Sequence, residues 1–196
     1  MKALAATFGV SDDGARAGVV TFSYYTNLSV KLNDHTKLST FNDAVDKIAL
    51  MGSTTRIDKA LRMVQKDLFS IPNGGRPGVN KVLFVLTDGS QTQDNDAEDP
   101  GDIAKELRDQ GIRVISIGIG KGVNPTELAR IAGDQSNVFS ADSFDQLVSS
   151  DFLGKVNEAG CKEGMFLNNR STERLLDVFR KISNTPASFD KGSRTQ

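Results

Sequence analysis

The chain has 196 residues, with 24 basic and 25 acidic side chains and a net charge of −1 at neutral pH. This charge balance argues against a nucleic-acid-binding or polybasic membrane protein, and no apolar stretch approaches the roughly 18 residues of a membrane-spanning helix. One cysteine and one histidine leave no disulfide framework within the chain and little room for histidine- or cysteine-based metal sites.

Strand and helix patterns alternate through the first half of the chain. A β-branched run predicts a buried strand, and apolar residues at helical spacing predict the helices. In order, the predicted elements are an amphipathic helix ending at Gly9, a strand at 17–23, a turn at 24–27, a strand at 28–32, and helices with apolar stripes from Phe41 to Ile48 and from Ile57 to Leu68.

The second half contains the strongest strand pattern, the continuous apolar run Lys81–Thr87, which suits a parallel strand covered on both faces. The elements predicted after it are a helix at 100–110, a strand at 113–119, a helix at 125–132, a strand at 137–140, a helix at 144–156 and, past Cys161, a helix at 172–182 before a disordered polar tail at 184–196. This alternation predicts an α/β fold, a doubly wound and mostly parallel sheet with helices on both faces.

Two polar residues lie where such a fold binds ligands, at the carboxyl ends of strands. Asp88 directly follows the strongest strand, and Thr55 lies in a polar loop where a helix begins. Taken alone, Asp88 could equally be a turn or cap residue, and Thr55 is more simply explained as a helix cap.

Longer sequence motifs are more specific. Four segments occur in the order and spacing of one family: the strand at 18–23, Gly52-Ser53-Thr54-Thr55 leading into Lys59-Ala60-Leu61, the strand ending in Thr87-Asp88-Gly89, and the run from Gly111 to Gly120. Over about residues 2–162 the chain resembles the von Willebrand factor type A (VWA) domain, particularly the extracellular kind found in matrilins, type VI collagen and invertebrate matrix proteins. The resemblance implies a Rossmann-like VWA domain at 1–162 followed by a C-terminal extension at 163–196.

The resemblance also implies a metal-ion-dependent adhesion site (MIDAS), in which oxygen ligands hold Mg²⁺, or Ca²⁺ or Mn²⁺, and an open coordination position takes a carboxylate from a partner. Thr55 matches the ligand threonine of the family, and Asp88 matches its later ligand aspartate. The Asp-x-Ser-x-Ser motif that ends the family's first strand is absent from the chain. We therefore expect an N-terminally incomplete domain that lacks its first central strand and binds metal weakly or not at all.

These features predict a non-enzymatic, secreted adhesion or matrix-assembly module. Its expected partners are extracellular matrix or cell-surface proteins, with further assembly through other domains of a longer protein. An intracellular VWA scaffold in a metal-dependent complex is the alternative. A nucleotide-using α/β enzyme is a weaker one, because no phosphate-binding loop is present.

Three further residues bear on location. Asn27 and Asn169 each begin an Asn-x-Ser glycosylation sequon. Cys161 follows the last predicted domain helix; it could be an inert buried thiol, but the resemblance implies a disulfide to a cysteine in the missing segment. The acidic cluster between Asp94 and Asp102 lacks the glycine and glutamate of an EF-hand loop, which favours a solvated loop over a Ca²⁺ site.

Overall fold

A computed structural model describes residues 1–49, 52 and 54–161. Its helices are α1 Lys2–Thr7, α2 Leu38–Asp46, α3 Ile57–Met63, α4 Pro100–Asp109, α5 Pro125–Ala132 and α6 Ser150–Cys161; its strands are β1 Val19–Phe22, β2 Thr26–Val30, β3 Lys81–Thr87, β4 Ile112–Ile119 and β5 Val138–Ala141. The sequence predictions for 163–196 lie outside the described residues.

Strand β4 is the centre of the fold. It pairs in parallel with β3 on one side and with β5 on the other, and nearly all its residues are buried. Because successive side chains of a strand point to opposite faces, Val114 packs in a core with α3, α4 and α5. Ile115 and Ile117 pack with α1 and α6 on the other side. The expected parallel sheet with helices on both faces is therefore present.

Strands β1 and β2 form a separate antiparallel hairpin, so the expected single sheet is divided. In the described part of the chain, no strand pairing joins this hairpin to β3, and β3 is paired along one edge. Its Leu83 and Val85 are buried, whereas Phe84 on the opposite face is half-buried, so β3 is less completely covered than its apolar run predicts.

Helix α3 connects the two sheets. Its Ile57 and Leu61 lie in the same hydrophobic cluster as Leu83 of β3, and Phe22 of the hairpin packs against that cluster. The helix continues as a π-helical turn over Val64–Leu68. This packing fixes the start of α3, and therefore the loop before it, beside the carboxyl end of β3.

Three predicted boundaries were wrong. The hairpin turn is confined to Ser23–Tyr25, and Asn27 lies within β2, opposite Thr21. The last helix begins at Ser150 rather than at Phe144, because the hydroxyl of Ser149 accepts a hydrogen bond from the Phe152 amide and a short 3-10 turn precedes it. Helix α6 also includes Cys161, which was expected to follow it.

Within the described residues, no helix combines the length and apolar character needed to cross a bilayer.

The loop after the π-helical turn depends on Gly74, whose φ is +93°. A Cβ at this position would lie 2.6 Å from the backbone nitrogen of Asn33. We expect Gly74→Ala to destabilise the fold by about 3 kcal/mol, since backbone strain and a backbone clash add. Gly78 also has a positive φ, of +71°, but open space around it, so Gly78→Ala should cost only about 1 kcal/mol. Urea unfolding measures both, and equal losses would contradict the packing at Gly74.

Candidate functional site

The carboxyl end of β3 is a tight polar turn. Buried Thr87 donates from Oγ1 to the Gly89 carbonyl at 2.8 Å, and the same hydroxyl accepts from the Gly89 amide at 3.3 Å. Asp88 lies at the apex of this turn with its side chain exposed. The strand end therefore presents one carboxylate to solvent.

Thr55 lies against this turn. Its amide donates to Thr92 Oγ1 at 2.9 Å, and the Thr92 amide donates to the Thr55 carbonyl at 2.8 Å. A Cβ placed on Gly89 would lie 3.1 Å from Thr55 Oγ1. The structure thus brings the Thr55 hydroxyl to the residue next to Asp88.

A buried arginine lies beside Thr55. The Arg56 side chain is 1% exposed, and its guanidinium donates to both carboxylate oxygens of Asp58, at 2.9 and 2.7 Å. It also donates to the carboxylates of Asp94 at 3.1 Å and Asp96 at 2.7 Å, and to the Asp96 carbonyl at 3.1 Å. The segment after Asp88 is therefore fastened to the beginning of α3.

Asp58 completes this arrangement. It is 2% exposed, it accepts from the Glu98 amide at 3.2 Å, and its own amide donates to Gln91 Oε1 at 3.2 Å. Burial alone would raise the pKa of Asp58, but hydrogen bonds from Arg56 and from its other neighbours lower it to about 2. The same bonds raise the pKa of Arg56, so both groups are charged at neutral pH.

The acidic cluster at 94–102 is more ordered than a solvated loop. Besides the bonds to Arg56, Arg62 pairs with Glu98 and Glu106, and Arg130 pairs with Asp99 and Asp102. Asp99 also caps α4 by accepting from the Gly101 amide at 2.8 Å. The sequence interpretation was therefore incomplete, because arginines distant in sequence neutralise these carboxylates.

Glu127 was missed in the sequence. It lies in the first turn of α5, and its carboxylate accepts from the Gln91 amide at 3.0 Å. Burial raises the pKa of Glu127, although the bond from Gln91 opposes this shift. An isolated glutamate after Asn-Pro-Thr gives no sign of this contact, which depends on the packing of α5 beside the end of β3.

The metal expectation can be compared with the donors at this end of the sheet. A threonine hydroxyl and a carboxylate are hard oxygen ligands, the type that Mg²⁺, Ca²⁺ and Mn²⁺ prefer. Thr55 and Asp88 fit such an ion by type, but two groups cover only part of an octahedral shell. Among the described residues, no group of three or more Asp, Glu, His and Cys side chains is arranged to hold a metal.

The remaining predicted residues lie elsewhere. Asn27 is exposed on β2, and Asn169 lies outside the described residues. Cys161 is half-buried at the end of α6, with its Sγ 3.5 Å from Asn157 Oδ1. Burial raises the pKa of the Cys161 thiol, which therefore is not an activated thiolate.

The Asp58 pKa predicts acid sensitivity. Because this pKa falls from 3.8 to about 2 on folding, the ionised carboxylate stabilises the native state by about 2 kcal/mol above pH 4, and this contribution is lost as the pH falls toward 2. Asp58→Asn should therefore be less stable at pH 7, and its difference from wild type should shrink below pH 4. Urea unfolding from pH 7 to pH 2 measures this. Asp109→Asn, which removes an exposed partner of Lys105, is the control and should change little. Parallel stability curves for wild type and Asp58→Asn would contradict the assignment.

Comparison with known proteins places this geometry in a family. The family profile described as "von Willebrand factor type A domain" matches residues 1–152. The chain is 34% identical over 140 residues to von Willebrand factor A domain-containing protein 2 of Xenopus laevis, covering 71% of this chain and 17% of that protein. It is 34% identical over 147 residues to the collagen alpha-5(VI) chain of Mus musculus, covering 75% and 5%. The chain thus spans less than a quarter of either relative.

Solved structures agree. Proximal thread matrix protein 1 from the mussel byssus superposes with a TM-score of 0.74 and 30% identity, over 82% of this chain and 40% of that chain. Another structure of that protein, described as having a zinc-occupied MIDAS motif, gives a TM-score of 0.71. The doubly wound fold, the motifs that contain Thr55 and Asp88, and these matches lead to one conclusion: the chain belongs to the von Willebrand factor type A domain family.

Proposed function

We propose that this chain is a non-catalytic adhesion module of an extracellular matrix protein, which binds protein partners at the carboxyl ends of its parallel strands. The observation that carries the proposal is the Thr55 hydroxyl lying against Gly89, beside the exposed carboxylate of Asp88. Support comes from relatives that include collagen VI chains and the matrix protein of the mussel byssus.

Thr55 and Asp88 would be the protein ligands of a divalent cation, Mg²⁺ or alternatively Ca²⁺ or Mn²⁺. When bound, such a cation supplies an open coordination position that can take a carboxylate from the partner. Thr55 contributes a neutral oxygen held in place by its reciprocal bonds with Thr92. Asp88 contributes the charge, and its exposure leaves it accessible to both ion and partner.

This set of ligands suits weak binding. Mg²⁺ gives up its water reluctantly and needs near-octahedral geometry, so one carboxylate and one hydroxyl hold it poorly. The other acidic groups nearby are already engaged: Asp58, Asp94 and Asp96 pair with Arg56. We propose that the site is incomplete in this chain and that an upstream strand ending in Asp-x-Ser-x-Ser would supply a second carboxylate and two hydroxyls.

We expect the chain to bind Mg²⁺ or Mn²⁺ only weakly, and a version extended by such a strand to bind more tightly. Asp88→Ala should abolish binding in the extended version. The matched control is Asp142→Ala, which removes an exposed aspartate directly after β5 and should leave binding unchanged. Calorimetric titration of each metal measures the affinities. Tight binding by the chain alone, or unchanged binding after Asp88→Ala, would refute the assignment.

We also propose that the protein is secreted, with glycan on Asn27 and on Asn169. The exposed position of Asn27 on β2 leaves its side-chain amide accessible for modification. Cys161 would then pair with a cysteine outside this chain, because the chain has no second cysteine.

Expression of the full chain behind a secretion signal in a glycosylating host should give protein carrying a glycan at Asn27. Peptide mass spectrometry before and after enzymatic deglycosylation locates the modified asparagine. Asn27→Gln is the control and should lose the corresponding mass, whereas Asn137→Gln, which lies outside any sequon, should not. Secreted protein with unmodified Asn27 would count against the extracellular location.

A further inference from the structure

The structure assigns Arg56 the role of a positioning residue, which holds the Thr55 hydroxyl in place through the segment that follows Asp88. This inference rests on the proposed metal-dependent function. Arg56 would not itself bind the ion. It would act through residues 89–98, here called the clamp segment, which begins next to Asp88 and ends before α4.

The first step is that Arg56 and Asp58 hold the clamp segment at both ends. In its second half, the Arg56 guanidinium binds the carboxylates of Asp94 and Asp96 and the Asp96 carbonyl, and the Asp58 carboxylate accepts from the Glu98 amide. In its first half, the backbone amide of Asp58 donates to Gln91 Oε1. The side chains of the buried pair therefore restrain residues 94–98, and the backbone at the start of α3 restrains Gln91.

The second step links the clamp segment to the metal ligands. Thr92, next to Gln91, exchanges two hydrogen bonds with Thr55, and Gly89 lies against Thr55 Oγ1. Displacing the clamp segment would therefore move Thr92, which holds the Thr55 backbone, and Gly89, which lies beside the Thr55 hydroxyl and directly follows Asp88.

The burial of the charged Arg56 side chain needs a physical reason. A buried ion pair contributes little to stability compared with apolar side chains of similar volume, because desolvation offsets the attraction. An arginine is nevertheless suited to this place, because its planar fork can bind several carboxylates at fixed angles. The gain from Arg56 is therefore one of geometry, namely a fixed distance between α3 and the clamp segment.

Arg62 provides a matched comparison. It lies in α3, which begins just after Arg56, and it also binds two carboxylates: Glu98, the last residue of the clamp segment, and Glu106 in α4. Its side chain is 28% exposed, and it donates hydrogen bonds to Glu98, Glu106 and Gln65. Glu98 lies six residues after Thr92, and its amide is held separately by the Asp58 carboxylate, so loss of Arg62 should leave the Thr55 hydroxyl in place.

The test replaces the buried pair without leaving a buried charge unpaired, as Arg56→Met with Asp58→Leu. Amide hydrogen exchange, followed by NMR on the full chain without metal, reports the Thr55 and Thr92 amides directly. We expect their protection to fall at least tenfold in the double variant while core amides of β4 keep theirs. Arg62→Met should leave Thr55 and Thr92 protected. Unchanged protection in the double variant, or an equal loss in Arg62→Met, would overturn the inference.

Arg56→Lys covers the case in which the double variant does not fold. It keeps the charge but not the planar fork, so Thr55 and Thr92 should still lose protection. Retained protection in Arg56→Lys would mean that charge alone suffices and would overturn the positioning role. Titration of Mn²⁺ alone then adds a second readout: affinity should fall at least fivefold in the Arg56 variants and not in Arg62→Met. If the wild type binds too little Mn²⁺ to measure, the same titration is made on the version extended by an Asp-x-Ser-x-Ser strand. If that version also binds none, the proposed metal site fails, and the exchange data still decide the role of Arg56.

Discussion

The buried guanidinium of Arg56 is the constraint on which the candidate site depends. A charge that is 1% exposed must be neutralised within the protein, and three aspartates together with one carbonyl do so. Two of those aspartates come from the loop after β3 and one from the first turn of α3. Neutralising the arginine therefore joins the end of a strand to the beginning of a helix, and Thr55 and Asp88 lie at that junction. The exposed ion pairs of Arg130 and Lys105 have no comparable effect, because solvent screens them and each is worth only about 0–1 kcal/mol.

The hydrophobic layers place this junction on rigid elements. Strand β4 contributes Val114 to one core and Ile115 to the other, so the parallel sheet is fixed from both faces. Helix α3 buries Ile57 and Leu61, on either side of Asp58 in the sequence, in the first of these cores. The Thr55 backbone exchanges two hydrogen bonds with Thr92, so little freedom remains for it. The site is thus set by packing in its helix and strand, and by buried polar contacts in the loops between them.

Much of this could be predicted from the sequence. The order of strands and helices follows from periodicity, because apolar side chains repeat at two residues in strands and at three to four in helices. The position of Asp88 follows from the rule that parallel strands end at one edge, whereas Thr55, which follows no predicted strand, was assigned by its resemblance to the family motif. What periodicity cannot give is contact between residues far apart in sequence. Arg56 and Asp96 are separated by 40 positions, and Glu127 and Gln91 by 36. The boundary errors have a local cause: the Ser149 cap and the tight Ser23–Tyr25 turn depend on hydrogen bonds that composition does not specify.

The same network limits which acidic groups could take part in binding. Asp58, Asp94 and Asp96 all contact Arg56, the residue after Thr55. If these three carboxylates had no partner, they would be the natural place for a hard cation. Arg56 supplies the positive charge instead, so these carboxylates are already paired with a cation. Glu127 is engaged by the Gln91 amide, and burial makes its ionised form less favourable. Asp88 is left as the carboxylate at the end of β3 that is exposed and adjacent to the Thr55 loop. A single available carboxylate beside a hydroxyl offers few ligands to a hard cation, and this limited set of ligands is the physical reason to expect weak metal binding by this chain.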